Sequence, residues 1–193
     1  MTVVPIFPEL YFQYKVKNHQ EFKKYLLETY LRETSETPSI TPNWNCNTKS
    51  LSVDASLLVP NLSSILEEFC VEINENLDFS IKGSWLNFYD KNDFQEIHGH
   101  TMDGTQLSLV YFVQYNPKDD GEFYFFHKNY SDRELSGLYP ILNKYPAMMS
   151  NWYPTVNEGD VLIFPSYLLH GVKPHMSDTK RITLAVNFSF EIT

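Results

Sequence analysis

A chain of 193 residues suits one domain with a sizeable core, and no second independent domain is expected. A hydrophobic content of 42% with 13 Tyr and 14 Phe excludes a disordered chain and points to strands. A net charge of −9, with no Lys/Arg cluster longer than a pair, disfavours nucleic acid as a partner, and no apolar run approaches the ~20 residues of a membrane span. The apolar opening carries Pro5 and Pro8, no early positive charge and no small-residue cleavage site, so it does not read as a signal peptide. Cys46 and Cys70 lie outside any C-x-x-C spacing and fit reduced thiols, which gives a cytoplasmic expectation.

In chain order, Val3 to Val16 alternates aromatic and polar residues after Pro8 and reads as an edge strand. Asn18 and Glu21 form a capping box, and Phe22, Tyr25, Leu26 and Tyr30 recur at helical spacing, predicting a helix over Gln20 to Glu33. Thr34 to Asn47 reads as a surface loop anchored by Trp44. A second helix begins near Pro60, burying Leu62, Ile65, Leu66, Phe69 and Ile73 and exposing Glu67, Glu68, Glu72 and Glu75.

From Phe79 onward the period changes to that of strands: Ile81 to Tyr89, Gln95 to Thr101, Gln106 to Tyr115, Glu122 to His127, Asp160 to Phe164, Gly171 to Pro174 and Lys180 to Ile192. Short strands separated by Asp-Gly and Asn-Pro turns predict a mainly β jelly roll, with the two N-terminal helices packed on one sheet. The expected division is residues 1–78 as N-terminal strand and supporting helices, and 79–193 as the jelly-roll core. Within the latter, 128–157 is an aromatic loop insertion that reads equally as a substrate wall or as decoration.

Two stretches carry chemistry. In the first, QEIHGHTMDGTQLSLVYFVQ, His98 and His100 are two residues apart, so on an extended strand both imidazoles face the same way, about 7 Å apart at Cα. That spacing suits chelation of one metal ion, for which His170, from the stretch EGDVLIFPSYLLHGVKPHMSDTKRITLAVNFSF, is the third candidate. In the same stretch, alternation places Arg181, Thr183, Ala185 and Asn187 on one face of the last strand. Ile182, Leu184, Val186 and Phe188 occupy the other, more apolar face. An arginine on an inner face is costly to bury unless an anion meets it, and a dicarboxylate ligand would do so. His19, His127 and His175 have no such support, and His175, in a polar turn after Pro174, is expected to be exposed.

The segments GSWLNFYDKNDFQEIHGH, GDVLIFPSYLLHGVKPH and KRITLAVNF resemble the bacterial and phage branch of the 2-oxoglutarate and Fe(II)-dependent oxygenases, which is related to the prolyl hydroxylases. IFPELYFQYKVKNHQEF and NWNCNTKS are also similar to that branch, so the likeness covers most of the chain and is weakest from Lys128 to Asn157. The resemblance implies Fe(II), 2-oxoglutarate and dioxygen as cofactor and cosubstrates, with the far carboxylate of 2-oxoglutarate on Arg181. Thr183, Tyr89 and Asn87 are candidate further contacts. Iron in this family is held by H-x-D/E and a distal His, and this chain departs from the pattern by placing His100 where the carboxylate is expected. Either His98, His100 and His170 hold the metal, or Asp103 supplies the carboxylate and His100 stands behind it.

The reaction so implied couples oxidative decarboxylation of 2-oxoglutarate to hydroxylation of a prime substrate, whether peptide, amino acid or small metabolite. A non-catalytic, cupin-like metal-binding protein is the alternative, and it leaves Arg181 without a ligand.

Overall fold

The computed structural model describes residues 8–30, 48–101, 104–137 and 139–193. The start of the expected first strand, the end of the first helix, the Thr34 to Asn47 loop with Trp44, and Asp103 lie outside the described residues.

The N-terminal part supplies strand β1 (Phe12–Lys15), helix α1 (His19–Tyr30), strand β2 (Lys49–Ser52) and helix α2 (Ala55–Ile73). In α1, Phe22, Leu26 and Tyr30 recur every four residues and are buried as one stripe. Asn18 does not use its side chain as a cap; its amide donates to Asn61 Oδ1 on α2. Helix α2 begins earlier than the prolines suggest. Asp54 caps it by accepting from the Ser56 backbone N–H at 2.9 Å, so Pro60 falls inside the helix. Leu58, Leu62, Ile65 and Phe69 form its buried face, and Asn74 closes it in the left-handed conformation (φ 56°), which asparagine tolerates.

The remaining strands are β3 (Leu77–Tyr89), β4 (Gln95–His98), β5 (Leu107–Gln114), β6 (Phe123–Phe126), β7 (Asn151–Trp152), β8 (Asp160–Pro165), β9 (Leu169–Val172) and β10 (Arg181–Ile192). The segment from 128 to 157 is not a bare loop: it carries α3 (Tyr130–Leu135), α4 (Tyr139–Leu142), a 3-10 turn (Pro146–Met148) and β7. The strands form two antiparallel sheets, a larger one in the order β1-β8-β5-β10-β3-β2 and a smaller one in the order β4-β9-β6-β7. This is a jelly roll, as expected, and α1 and α2 cover the outer face of the larger sheet.

Period-two alternation divides the interior into two cores. Ile182, Leu184, Val186 and Phe188 of β10 join Tyr111, Val161, Ile163 and the helical stripes in the core beneath the helices. The other face of the larger sheet meets the smaller sheet and contributes Tyr89, Val110, Phe112, Leu162 and Phe164 to the inter-sheet core. On this inner face the registers align residues in rows across the sheet. The first row is Tyr89–Arg181, the second Asn87–Thr183–Phe112, the third Trp85–Ala185–Val110–Leu162 and the fourth Gly83–Asn187–Ser108–Phe164. A register shift between Asn187 and Phe188 marks a bulge just past the fourth row.

A polar clamp ties α1 to the sheet. His19, nearly buried, has Nδ1 2.6 Å from the Tyr111 hydroxyl and Nε2 3.0 Å from Glu158 Oε1. Lys23 donates to the same oxygen at 2.9 Å, and the Tyr115 backbone N–H donates to Oε2. Burial pushes the Tyr111 phenol above its ordinary value, and the nearby Glu158 charge adds to that, so the hydroxyl stays protonated. Gly159 (φ 93°) admits the His19 ring, since a Cβ there would lie 3.1 Å from the imidazole. Glu158→Ala leaves a backbone N–H and two cationic or donor side chains without their acceptor, so urea denaturation is expected to show a loss of about 1–3 kcal/mol. A wild-type midpoint would mean that the clamp contributes nothing.

Candidate metal and anion site

His98 is the last residue of β4 and lies directly opposite His170 of β9 in the register of the smaller sheet. The strand ends there, so His100 lies just past it and is held by its own backbone N–H donating to the Ser166 carbonyl at 2.8 Å. The three rings nevertheless converge, with centroids 4.8 Å (His98 and His100), 4.3 Å (His98 and His170) and 5.2 Å (His100 and His170) apart. One ligand nitrogen from each can be chosen so that all three lie within 4.8 Å of one another.

Two of the rings are oriented by the backbone. His98 Nδ1 is 2.7 Å from the Glu96 carbonyl and His170 Nδ1 is 2.9 Å from the Leu168 carbonyl. A carbonyl accepts, so each Nδ1 carries the proton and each Nε2 carries the lone pair, the arrangement a metal requires. Burial holds all three imidazoles below their ordinary pKa, His170 most completely and His100 down to about 4. The cluster is therefore neutral at pH 7, and three neutral nitrogen donors fit Fe(II).

Arg181, the first residue of β10, lies in the same cavity as this cluster. It is fully buried, and Nε and both terminal nitrogens of its guanidinium have no hydrogen-bond partner among the described residues. The group sits 4.5 Å from the centroid of the Tyr89 ring and within 6 Å of the Tyr115 and Phe112 rings. Asp120 feels its charge but accepts none of its N–H groups. Aromatic faces attract a cation without satisfying its donors. A guanidinium with its donors open fits one end of a dicarboxylate, with two parallel hydrogen bonds.

The other sequence-selected residues, Tyr89, Asn87 and Thr183, also line the cavity, which is partly open to solvent. The Tyr89 hydroxyl donates to Gln95 Oε1 at 3.0 Å, and Asn87 Oδ1 accepts from Ser50 at 2.7 Å. Thr183 lies beside Asn87 in the second row. Sequence reasoning missed Gln95, Trp85 (ring centroid 5.8 Å from that of His100) and the Ser108–Asn187 pair. Registers bring these together, and the one available signal was that Asn187 shares the face of Arg181. His175 is a correction: it is fully buried rather than exposed, with Nε2 on the Thr179 carbonyl and Nδ1 3.7 Å from Asp120, because the turn after Pro174 folds inward.

A jelly roll with clustered histidines and a buried arginine facing one cavity defines a metal-site protein suited to an anionic ligand. Residues 83–187 match the family model described as “Putative 2OG-Fe(II) oxygenase”. That segment is more than half of the chain, and the protein belongs to the 2-oxoglutarate/Fe(II) oxygenases, whose cofactor and cosubstrates are Fe(II), 2-oxoglutarate and dioxygen. No curated protein matches the sequence. Among solved structures, a prolyl-4-hydroxylase from Pseudomonas putida is similar at TM-score 0.62 and 15% identity over 94% of this chain and 92% of its own. HygX from Streptomyces hygroscopicus, solved with nickel and 2-oxoglutarate bound, is similar at TM-score 0.57 and 15% identity, covering 94% and 83%. The viral collagen prolyl hydroxylase of Paramecium bursaria Chlorella virus-1, in a 2-oxoglutarate complex, gives TM-score 0.59 and 11% identity, covering 92% and 94%. At such identities the likeness is one of fold.

A buried cation whose donors have no partner among the described residues is a burden on the ligand-free protein. Arg181→Met is expected to raise the stability of the ligand-free protein by at least about 1 kcal/mol in urea denaturation. A loss of stability would mean that the guanidinium is already compensated.

Proposed function

We propose that the protein is a 2-oxoglutarate- and Fe(II)-dependent hydroxylase in which His98, His100 and His170 hold the metal and Arg181 holds the far carboxylate of 2-oxoglutarate. The observation that carries this reading is the juxtaposition, in one cavity, of three neutral imidazoles with a buried guanidinium whose donors have no partner among the described residues. A metal-binding cupin without oxygen chemistry accounts for the histidines but leaves that cation unexplained. Bound Fe(II), with 2-oxoglutarate and dioxygen, supplies the oxidising chemistry: 2-oxoglutarate becomes succinate and CO2, and one oxygen atom of O2 enters succinate while the other enters a substrate C–H bond as hydroxyl.

The chain's own residues position and insulate. Arg181 binds the carboxylate in a fork, Tyr89 stacks against the guanidinium and is itself steadied by Gln95, and Thr183 offers a further hydroxyl on the same face. Phe123 and Phe164 pack on His170, with centroids at 5.5 and 5.0 Å, and exclude water behind the metal position. The described residues that line the cavity all fall within 79–193 and none comes from the 128–157 insertion; the prime substrate is a peptide, an amino acid or a small metabolite.

Anaerobic titration of the Fe(II)-loaded protein with 2-oxoglutarate should raise a visible metal-to-ligand charge-transfer band, and its absence at normal iron content would favour the cupin-like alternative. Arg181→Ala should raise the 2-oxoglutarate concentration needed for that band roughly a hundred- to several thousand-fold while sparing iron, from about 3–5 kcal/mol for a broken buried ion pair. An unchanged requirement would reject Arg181. His100→Ala should lose Fe(II), whereas Asp103→Ala should keep it; the reverse result would return the third ligand to the family's carboxylate.

A further inference from the structure

Resting on that reading of the metal site, we infer that Asn187, held by Ser108, selects the prime substrate by donating its side-chain amide to an uncharged carbonyl acceptor, such as a carboxamide or a peptide carbonyl.

The rows of the larger sheet locate this pair. Arg181 stands in the first row and Asn187 in the fourth, so the two lie at opposite ends of the inner face, about 20 Å apart along the strand. The histidine cluster lies over the third and fourth rows: the His100 ring packs against Trp85, and the His170 ring is 5.0 Å from that of Phe164, whose backbone pairs with Ser108. A cosubstrate stretched from the cluster toward Arg181 therefore occupies the first two rows and leaves the fourth for another molecule.

The polarity at that end is specific. The Ser108 hydroxyl, nearly buried, donates to Asn187 Oδ1 at 2.9 Å, which uses the acceptor of the amide and turns its Nδ2 into the group on offer. Nδ2 has no partner among the described residues, yet it belongs to a cavity-lining side chain. The neighbours in these rows are Trp85, Ala185, Val110 and Gly83, none charged, and the missing side chain at Gly83 leaves room beside Trp85. The side chains around this donor carry no charge, and Fe(II) on three neutral imidazoles is balanced by the bound 2-oxoglutarate dianion, so the donor rewards a neutral acceptor. It gives a carboxylate no countercharge and a cation no acceptor.

Paramagnetic relaxation tests this without a known substrate. Protein loaded with Mn(II) and 2-oxoglutarate, which does not turn over, is titrated with N-methylacetamide, acetate and methylammonium while the relaxation of their methyl protons is read. N-methylacetamide should be relaxed most, and Asn187→Leu should reduce its enhancement about fivefold, the loss of one hydrogen bond, with Mn(II) and 2-oxoglutarate affinities unchanged. Asn187→Asp, which preserves size, should also lose the amide and now favour methylammonium, so a folding failure of the leucine variant does not protect the idea. Equal or absent enhancement for the three probes, or an unaltered preference in Asn187→Asp, overturns the assignment of Asn187 alone. Failure of the wild type to take up Mn(II) with 2-oxoglutarate condemns the metal reading beneath it, and this inference with it.

Discussion

The site is organised around a charge that the fold buries and does not neutralise. Arg181 is enclosed at the start of β10, faced by three aromatic rings and short of every hydrogen bond its guanidinium can make among the described residues. Most proteins avoid that state because burying an ionised group costs far more than an aromatic face returns. An oxygenase that must capture a dianion can use it, since the ligand then meets a cation already desolvated and already oriented.

The paired strands act as a ruler for the chemistry. Antiparallel register makes neighbouring inner-face residues two positions apart along each strand, so the positions of Arg181, Thr183, Ala185 and Asn187 along the inner face are set by backbone pairing. The smaller sheet fixes the other coordinate: His98 and His170 face each other across β4 and β9, and the two carbonyls that hold their Nδ1 protons come from residues two positions upstream. The helices contribute indirectly, as a cover for the outer face and through the His19–Glu158 clamp that holds α1 against β5 and β8.

The set of three histidines changes the electrostatics relative to the family's two histidines and a carboxylate. All three donors of the proposed set are neutral, so a metal bound there would carry one more positive charge than in the family's pattern, which would strengthen its attraction for an anionic cosubstrate. In the proposed site, positive charge would then stand both at the metal position, over the third and fourth rows, and at Arg181 in the first, while the side chains of the Asn187–Ser108 row carry none.

Much of this was legible in the chain because periodicity is a local property: the inner and outer faces of β10 and the greasy stripes of both helices follow from residue spacing alone. The order of His98, His100, His170 and Arg181, with the flanking motifs, was enough to read the family. What remained hidden depends on contacts between residues far apart in sequence. Strand register pairs Tyr89 with Arg181 and Ser108 with Asn187, the end of β4 places His100 beyond the strand, and the inward fold of the turn after Pro174 buries His175. Side-chain direction is written in the sequence because backbone geometry imposes it residue by residue. Which distant side chains meet, and which buried donors are left open, is decided only when the two sheets close on one another.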